Sequence, residues 1–322
     1  MRVLVTGIAG YIGSVVGERL LESGHEVVGI DNLQTGNRAA VPEDADFREG
    51  DILDERWLRE TVAGSGAVAV VHLAAEASID DSEPGKFFRT NVAGGLNLLD
   101  AMRSAKIDKI VFSSTAAVYG QPEALPIPED APKNPVNAYG ESKLMFERTL
   151  AWYGRAYGVR HVSLRYFNAC GATEERGEFR LKETHIIPLL IEVVLGKRTK
   201  FSLYGTDYPT PDGTCVRDYI HIADIADAHI LALESIESRN GGAYNMGNGE
   251  GYSNQQVIET VRKVTGHALL YANADRRAGD PATLVASSAK IRDELGWTPR
   301  YPDLETMVAT AWSWRRAHPG GY

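Results

Sequence analysis

This chain of 322 residues has few cysteines, no long apolar run and no excess of basic residues. The two cysteines, Cys170 and Cys215, are too few for a disulfide scaffold and too far apart for a structural zinc site. No apolar run approaches the ~20 residues that a membrane span needs, and Met1 precedes a β-rich run rather than a leader peptide. The formal charge is -9 without a basic run, which argues against a nucleic-acid partner. We therefore expect a cytoplasmic protein with no membrane partner.

Several catalytic signatures are missing too. The eight histidines form neither an H-x-H nor an H-E-x-x-H pattern, so we predict no metal. The G-x-S-x-G turn of serine hydrolases and the G-x-x-x-x-G-K-[ST] loop of nucleoside triphosphatases are also absent. The chemistry must therefore come from other motifs.

The first half of the chain alternates short β-rich runs with helical patterns. The predicted strands are Arg2–Thr6, Glu26–Asp31, Asp46–Glu49, Val68–Leu73, Lys109–Ser113 and His161–Arg165. This alternation predicts an α/β fold with a doubly wound, Rossmann-like parallel sheet. After about Phe167 the alternation ends, which predicts a smaller α/β domain. We divide the chain into a cofactor domain, 1–167, to which a segment near 218–240 returns, and a mainly substrate-binding domain, 168–322.

A glycine-rich turn joins the first predicted strand to the first predicted helix. Gly7, Gly10 and Gly13 have the spacing G-x-x-G-x-x-G, which allows a tight turn, close approach of a pyrophosphate and close packing of helix on strand. Asp31 ends the next strand, where a carboxylate accepts the ribose hydroxyls of NAD and repels the 2′-phosphate of NADP. The pattern predicts bound NAD, although a purely structural turn would look similar. Asp51 could contact adenine or only cap a helix.

Tyr139 and Lys143 are the candidate catalytic pair. Residues four apart on a helix share one face, so the lysine ammonium can favour the ionised form of the phenol. A phenolate can accept a proton from a sugar hydroxyl. Thr115 follows a predicted strand within the run Ser113-Ser114-Thr115 and could share that proton, or could merely cap a turn.

Over nearly its whole length the sequence resembles the UDP-hexose 4-epimerases, which belong to the extended short-chain dehydrogenase/reductases. The matching stretches are Thr6–Gly13, Asp31–Leu33, His72–Ala75, Asn91–Gly94, Ser113–Gly120, Tyr139–Lys143, Arg165–Asn168 and Asp212–His221. The last stretch, with the pattern DGT-x-x-RDYIH, is the most specific, because the glycine turn and the Tyr–Lys pair belong to the whole superfamily.

The resemblance implies a role for particular residues. It places Thr115, Tyr139 and Lys143 at the catalytic positions. On the cofactor side it implies Gly7, Gly10, Tyr11, Ile12, Gly13, Asp31, Asn32, Asp51, Ile52, Leu73, Ala74, Ala75, Asn91, Tyr139, Lys143 and Tyr166. On the substrate side it implies Thr115, Tyr139, Asn168, His185, Ile186, Tyr204, Arg217, Arg277, Asp280 and Leu284.

Within the substrate set, Tyr204 is expected against the uracil, and both arginines are expected against the diphosphate. Leu284 falls where the family keeps a gate beside the sugar 2-position. Arg217 could instead form a structural ion pair, and Tyr204 could be a core aromatic. Well-known members carry a lysine near the nicotinamide where this chain reads Glu76-Ala77-Ser78.

The implied activity is the interconversion of UDP-galactose and UDP-glucose with NAD, by a homodimer. Inversion at C4 needs a transient oxidation, because no neighbouring carbonyl makes the C4 hydrogen acidic, and the hydride is then returned by a retained cofactor. Another UDP-sugar, such as a pentose or an N-acetylated hexose, remains an alternative substrate. A 4,6-dehydratase usually carries an Asp-Glu pair where this chain has Ala116 and Ala117, and a non-catalytic NAD-binding regulator would usually lack the tyrosine.

Overall fold

The computed structural model describes residues 1–77, 82–180, 182–238, 241–277 and 279–322. The strands are β1 Arg2–Thr6, β2 Glu26–Asp31, β3 Asp46–Glu49, β4 Ala69–His72, β5 Lys109–Thr115, β6 Arg160–Tyr166, β7 Asn168–Cys170, β8 Phe201–Tyr204, β9 Val216–His221, β10 Ala243–Met246, β11 Gly251–Ser253, β12 Tyr271–Ala274 and β13 Thr283–Leu284. The α-helices are α1 Tyr11–Glu22, α2 Glu55–Ala63, α3 Gly85–Phe87, α4 Gly95–Ser104, α5 Ala138–Tyr157, α6 Ile186–Val194, α7 Ile222–Ser235, α8 Asn254–Thr265, α9 Ala289–Leu295 and α10 Leu304–Ala317. None of the helices in these residues combines the length and the apolar character that crossing a membrane requires.

The main sheet is a seven-stranded, fully parallel sheet with the order β10-β6-β5-β4-β1-β2-β3. This confirms the predicted doubly wound α/β fold. The strand order reverses between β1 and β4, so a crevice opens there at the carboxyl ends of the strands, where such folds bind ligands. The predicted bounds of β1, β2 and β3 are confirmed, and β10 is a strand that the sequence patterns did not predict.

Helices cover both faces of this sheet. On one face, α1 and α7 pack into a single core, in which Val15, Val16 and Leu20 meet Ile225 and Leu233. The other face is covered by α2, α4 and α5, whose buried side chains form a second core with β1, β4 and β5. Burying apolar surface on both faces is what makes the strands of such a sheet apolar along most of their length.

The remaining elements form a smaller lobe. Strand β9 pairs with β7, β11 and β13, and β8 pairs with β12. Helices α6, α8 and α10 pack around a separate core that includes Leu190, Val257 and Met307. Strand β10 and Trp297 nevertheless belong to the larger lobe, so the chain crosses between the lobes several times. The proposed division at residue 167 stays a prediction.

Candidate active site

The turn after β1 leaves no room for a side chain at Gly7 or Gly13. Gly7 has φ 76°, and a Cβ there would lie 2.6 Å from the backbone nitrogen of Ala74. A Cβ on Gly13 would collide with the carbonyl oxygen of Gly7. Helix α1 starts after Gly10 without a side-chain cap, so its first N–H groups are available to an anion in the crevice.

Thr6, at the end of β1, fixes the opposite wall of this crevice. Its Oγ1 accepts hydrogen bonds from the backbone N–H groups of Leu73 (3.2 Å) and Ala74 (3.1 Å). The same oxygen lies 2.7 Å from Nδ1 of His72. Thr6 was not predicted as a site residue, because its partners lie at and just after the end of β4, far along the chain.

Asp31 lies at the far end of the crevice. Its carboxylate accepts hydrogen bonds from the N–H groups of Ala9 (3.0 Å) and Leu33 (2.8 Å), and burial raises its pKa. Each oxygen keeps a further lone pair for a ligand hydroxyl. Nearby, Asn32 Nδ2 donates to Asp51 Oδ2 at 2.9 Å. The predicted cofactor residues that line this crevice are Gly7, Gly10, Asp31, Asn32, Asp51, Ile52, Leu73, Ala74 and Ala75.

A second, larger cleft of about 370 Å³ is lined by residues of both lobes. Glu76 lines the crevice and its neighbour Ala77 lines the cleft, so the two spaces adjoin at this point of the chain. The predicted site residues that line the cleft are Ile12, Thr115, Tyr139, Tyr166, Asn168, His185, Ile186, Tyr204, Arg217, Arg277 and Asp280.

Tyr139 lies in the first turn of α5 and faces Thr115 at the end of β5. The helix starts there because Asn137 caps it, its Oδ1 accepting from the N–H of Gly140 at 2.7 Å. Burial raises the pKa of Tyr139, whereas a hydrogen bond with Thr115 and the positive charge of Arg180 act in the opposite direction. Arg180 also lines the cleft and was not predicted, because it lies in an irregular segment without a recognisable motif.

Lys143 lies one turn further along α5, beneath the cleft rather than in its wall. Its Nζ donates to the carbonyl oxygen of Ser113 at 2.9 Å and lies 5.9 Å from the centroid of the Tyr139 ring. Burial lowers the pKa of Lys143 to about 7, and the negative charge of Glu147 acts in the opposite direction. The predicted Tyr–Lys pair therefore shares one helix face, with the amine anchored on the strand.

Tyr166 is held by a buried histidine on α7. His229 Nδ1 donates to the carbonyl oxygen of Ile225 (2.9 Å), which leaves Nε2 as the acceptor for the Tyr166 hydroxyl at 2.7 Å. Burial raises the pKa of Tyr166, so the phenol stays neutral. Helix α7 thereby positions Tyr166 in the cleft wall.

Two arginines and an aromatic ring lie together at the smaller-lobe end of the cleft. The guanidinium carbon of Arg277 is 4.3 Å from the centroid of the Tyr204 ring. Arg217 Nη2 lies 3.3 Å from Oδ1 of Asp280. One guanidinium against a ring that is 37% exposed, and a second that lines the same cleft, supply positive charge and apolar surface at this end.

Four other predicted residues are not among the described residues that line the crevice or the cleft. Gly13 packs under the turn, and Tyr11 donates its hydroxyl hydrogen to the carbonyl oxygen of Gly171 at 2.6 Å. Asn91 clamps the backbone of Glu76, accepting from its N–H (2.8 Å) and donating to its carbonyl oxygen (3.0 Å). The position of Ser78, next to Ala77, lies outside the described residues.

Leu284 is the fourth of these residues. It lies opposite Arg217 in the pairing of β13 with β9. Its side chain packs, like that of Phe167, against a small core that includes Val118 and Ile127. Phe167 lines the cleft, so an effect of Leu284 on the sugar would have to pass through that core. Its gating role stays a prediction.

One group of potential metal ligands occurs among the described residues: Glu178, Glu183 and His185, whose ligand atoms lie within 4.8 Å of one another. Arg180 Nε already lies 2.9 Å from Glu178 Oε1, and His185 Nδ1 lies 2.7 Å from the same oxygen. The Glu178 carboxylate of this group is therefore already paired with the Arg180 guanidinium.

A sequence profile described as the NAD dependent epimerase/dehydratase family matches residues 3–247. The chain belongs to this family. Within it, the chain is 51% identical to the UDP-glucose 4-epimerase of Corynebacterium glutamicum, over 98% of this chain and 96% of that protein.

Two solved structures are also similar. The UDP-glucose 4-epimerase from Brucella ovis, in complex with NAD, has a TM-score of 0.93 and 44% identity, covering 97% of each chain. The UDP-glucose 4-epimerase from Bifidobacterium longum, in complex with NAD+ and UDP, has a TM-score of 0.95 and 35% identity, covering 100% of each chain. The predicted family is therefore confirmed, together with its NAD dependence.

Proposed function

We propose that this chain interconverts UDP-glucose and UDP-galactose by inverting C4 of the hexose. The observation that carries the proposal is the placement of Tyr139. Its side chain is half-buried, hydrogen-bonded to Thr115 and located in the cleft that adjoins the glycine-lined crevice. A base at that junction can reach a sugar hydroxyl beside a bound nicotinamide.

The crevice fits NAD, because Gly7 and Gly10 line it without side chains and a Cβ on Gly7 would collide with the backbone of Ala74. The open N–H groups of α1 would hold the pyrophosphate, and the Asp31 carboxylate would accept the adenosine ribose hydroxyls. Bound NAD+ supplies reversible acceptance of the C4 hydride. Tyr139 removes the O4 proton and later returns it, and Thr115 shares that proton and orients O4.

Tyr139 must lose its proton near neutral pH to act as this base. Burial opposes the ionisation, so neighbouring positive charge has to favour it. The Lys143 ammonium supplies that charge from the same helix face. The nicotinamide ribose would bind to the same amine, which couples cofactor binding to ionisation of the base.

The smaller-lobe end of the cleft would hold the UDP moiety. Arg217 and Arg277 would pair with the diphosphate, because guanidinium groups bind phosphate oxygens in a bidentate manner. Tyr204 would stack on the uracil, and Asp280 would keep Arg217 oriented in the absence of substrate. The hexose would then extend toward Tyr139.

A homodimer in the cytoplasm, acting in galactose metabolism, completes the proposal. Met145 and Trp152 lie seven residues apart on α5 and are 37% and 64% exposed, and Tyr157 at the end of that helix is 54% exposed. Exposed apolar groups of this size along one helix favour pairing with a second copy. Both cysteines are free, which fits a reducing compartment.

The test is direct conversion. Purified protein incubated with UDP-galactose should produce UDP-glucose without added cofactor. The conversion is monitored by NMR of the anomeric protons. UDP-GlcNAc, UDP-xylose and dTDP-glucose serve as competing substrates. Conversion of one of these without conversion of UDP-galactose would overturn the assigned sugar. Denaturing the protein should release NAD in stoichiometric amount, whereas stoichiometric NADP would overturn the role of Asp31.

A further inference from the structure

A buried carboxylate lies behind the Tyr–Lys pair. Residues 139, 143 and 147 of α5 follow one another at intervals of four, so their side chains share one face of the helix. The Glu147 side chain is only 9% exposed, although glutamate is rarely buried without partners. Its position under the active site needs an explanation.

Both oxygens of Glu147 are bonded to the main sheet. Arg165 on β6 donates through Nε to Oε1 at 2.9 Å and through Nη2 to Oε2 at 2.6 Å. Ser114 on β5 donates its hydroxyl hydrogen to Oε1. Ser114 and Arg165 are direct neighbours in the β5–β6 register, so one carboxylate ties helix α5 to two adjacent strands.

Ser114 lies between the two strand residues that hold the catalytic pair. The carbonyl oxygen of Ser113 accepts from Lys143, and the side chain of Thr115 is hydrogen-bonded to Tyr139. The contact between Ser114 and Glu147 therefore sets how α5 lies along the end of β5. A shift of the helix would separate both catalytic groups from their strand partners.

The charges around Lys143 come from each element that packs against it. His72 on β4 is neutral, because burial and the nearby Lys143 lower its pKa to about 3. Strand β5 offers the Ser113 carbonyl and the Phe112 ring, whose centroid is 4.9 Å from Nζ. On α5 itself, Tyr139 is a neutral phenol in the resting state. In the part of the chain that is described, the carboxylate that acts electrostatically on Lys143 is that of Glu147.

We propose that Glu147 is a positioning residue of this active site. It holds α5 in the register that brings Tyr139 to Thr115, and it supplies a buried negative charge that favours the ammonium form of Lys143. Arg165 binds the carboxylate from the other side. The kinetic consequence rests on the proposed epimerase function, whereas the ionisation of Tyr139 can be measured without any substrate.

The test compares three variants of the full chain with bound NAD. Glu147→Gln keeps the size of the side chain and removes its charge, and Glu147→Asp keeps the charge with a shorter reach. Glu60→Gln is the matched control, because Glu60 is an exposed partner of Arg56 on α2, away from the site.

The first readout is the pH profile of kcat. In Glu147→Gln the alkaline limb should move to lower pH by ~1 unit, which is about a tenfold loss of kcat on that limb, because Lys143 then loses its proton more readily. Glu147→Asp should keep the position of the limb with a lower plateau. Glu60→Gln should superimpose on the wild type.

The second readout is the tyrosinate absorbance of each protein minus that of its Tyr139→Phe counterpart, titrated with pH. The Tyr139 phenol should ionise at higher pH in Glu147→Gln than in the wild type. If that variant does not fold, the double variant Glu147→Gln/Arg165→Gln, which removes the carboxylate together with the guanidinium that pairs with it, carries the same expectation. The proposal would be overturned by a folded Glu147→Gln variant in which neither the alkaline limb of the kcat profile nor the titration of Tyr139 is shifted. If the wild type has no epimerase activity, the proposed function is wrong. The titration of Tyr139 then tests the positioning role of Glu147 by itself.

Discussion

Replacing Lys143 by methionine should make the NAD-free protein more stable while abolishing its activity. Lys143 is a buried amine whose hydrogen bond to the protein is to the carbonyl oxygen of Ser113. Methionine has a similar length and no charge to desolvate. Glu147 stays paired with Arg165 after the change, so no carboxylate is left without a partner.

The size of the effect follows from the pKa of Lys143, which burial lowers from 10.5 to about 7. Between these two values the unfolded chain binds a proton that the folded protein does not, so this lysine makes stability rise with pH across that window. Below pH ~7 both states are protonated, and the full cost of ~5 kcal/mol applies. Subtracting about 1 kcal/mol for the lost hydrogen bond, we expect a gain of roughly 2–4 kcal/mol near pH 6, which disappears near pH 10.

The free energy of unfolding, measured by urea denaturation of NAD-free protein near pH 6 and near pH 10, checks this expectation. Lys263→Met is the matched control, since Lys263 is 69% exposed and pairs with Glu305 at the surface. Added NAD+ should reduce or reverse the advantage of Lys143→Met, because the amine is proposed to bind the nicotinamide ribose. A variant that is no more stable than the wild type near pH 6, with the same pH dependence, would refute the reasoning.

The other predictions concern the base, the sugar and the dimer. Tyr139→Phe should lower kcat by ~10²–10⁴ with an unchanged NAD content, and a variant that keeps more than about half of the wild-type kcat would rule out Tyr139 as the base. Leu284→Ser should raise kcat/KM for UDP-GlcNAc relative to UDP-glucose by ~10-fold, and an unchanged ratio would show that Leu284 is not the gate. Trp152→Glu should halve the mass measured by light scattering, whereas Leu270→Glu, at a 68% exposed position of the smaller lobe, should not. A dimer that persists in Trp152→Glu would exclude this face of α5.

The fold of the first lobe was predictable because its signals are local. The runs that form β1 and β2 are short, mostly apolar and separated by a helical pattern, and their predicted ends, like those of β3, agree with the structure. Strand β10, Ala243–Met246, is different, because it has only four residues and pairs with β6, whose residues lie far back along the chain. Nothing in its own sequence shows which edge of the sheet it joins.

The candidate site likewise combines features that local sequence predicts with features that depend on distant partners. The glycine turn and the Tyr139–Lys143 spacing are local patterns, so the cofactor and the reaction type could be inferred from them. Thr6 and Glu147 were not inferred, because each acts through partners on other elements that only folding brings together. That Leu284 does not line the cleft could not be inferred either, since its position depends on the pairing of β13 with β9.

Strand β10 belongs to the main sheet but is synthesised long after the other six strands of that sheet. Residues 167–242 separate the end of β6 from the start of β10, so a ribosome synthesises β7, α6, β8, β9 and α7 before it releases the last strand of the main sheet. Until then β6 presents an unpaired strand edge, which can associate with other nascent chains or recruit a chaperone. A chain that stops before Ala243 would keep the glycine turn and the catalytic tyrosine. It would also keep that open edge, and we expect it to aggregate rather than to survive as a smaller enzyme.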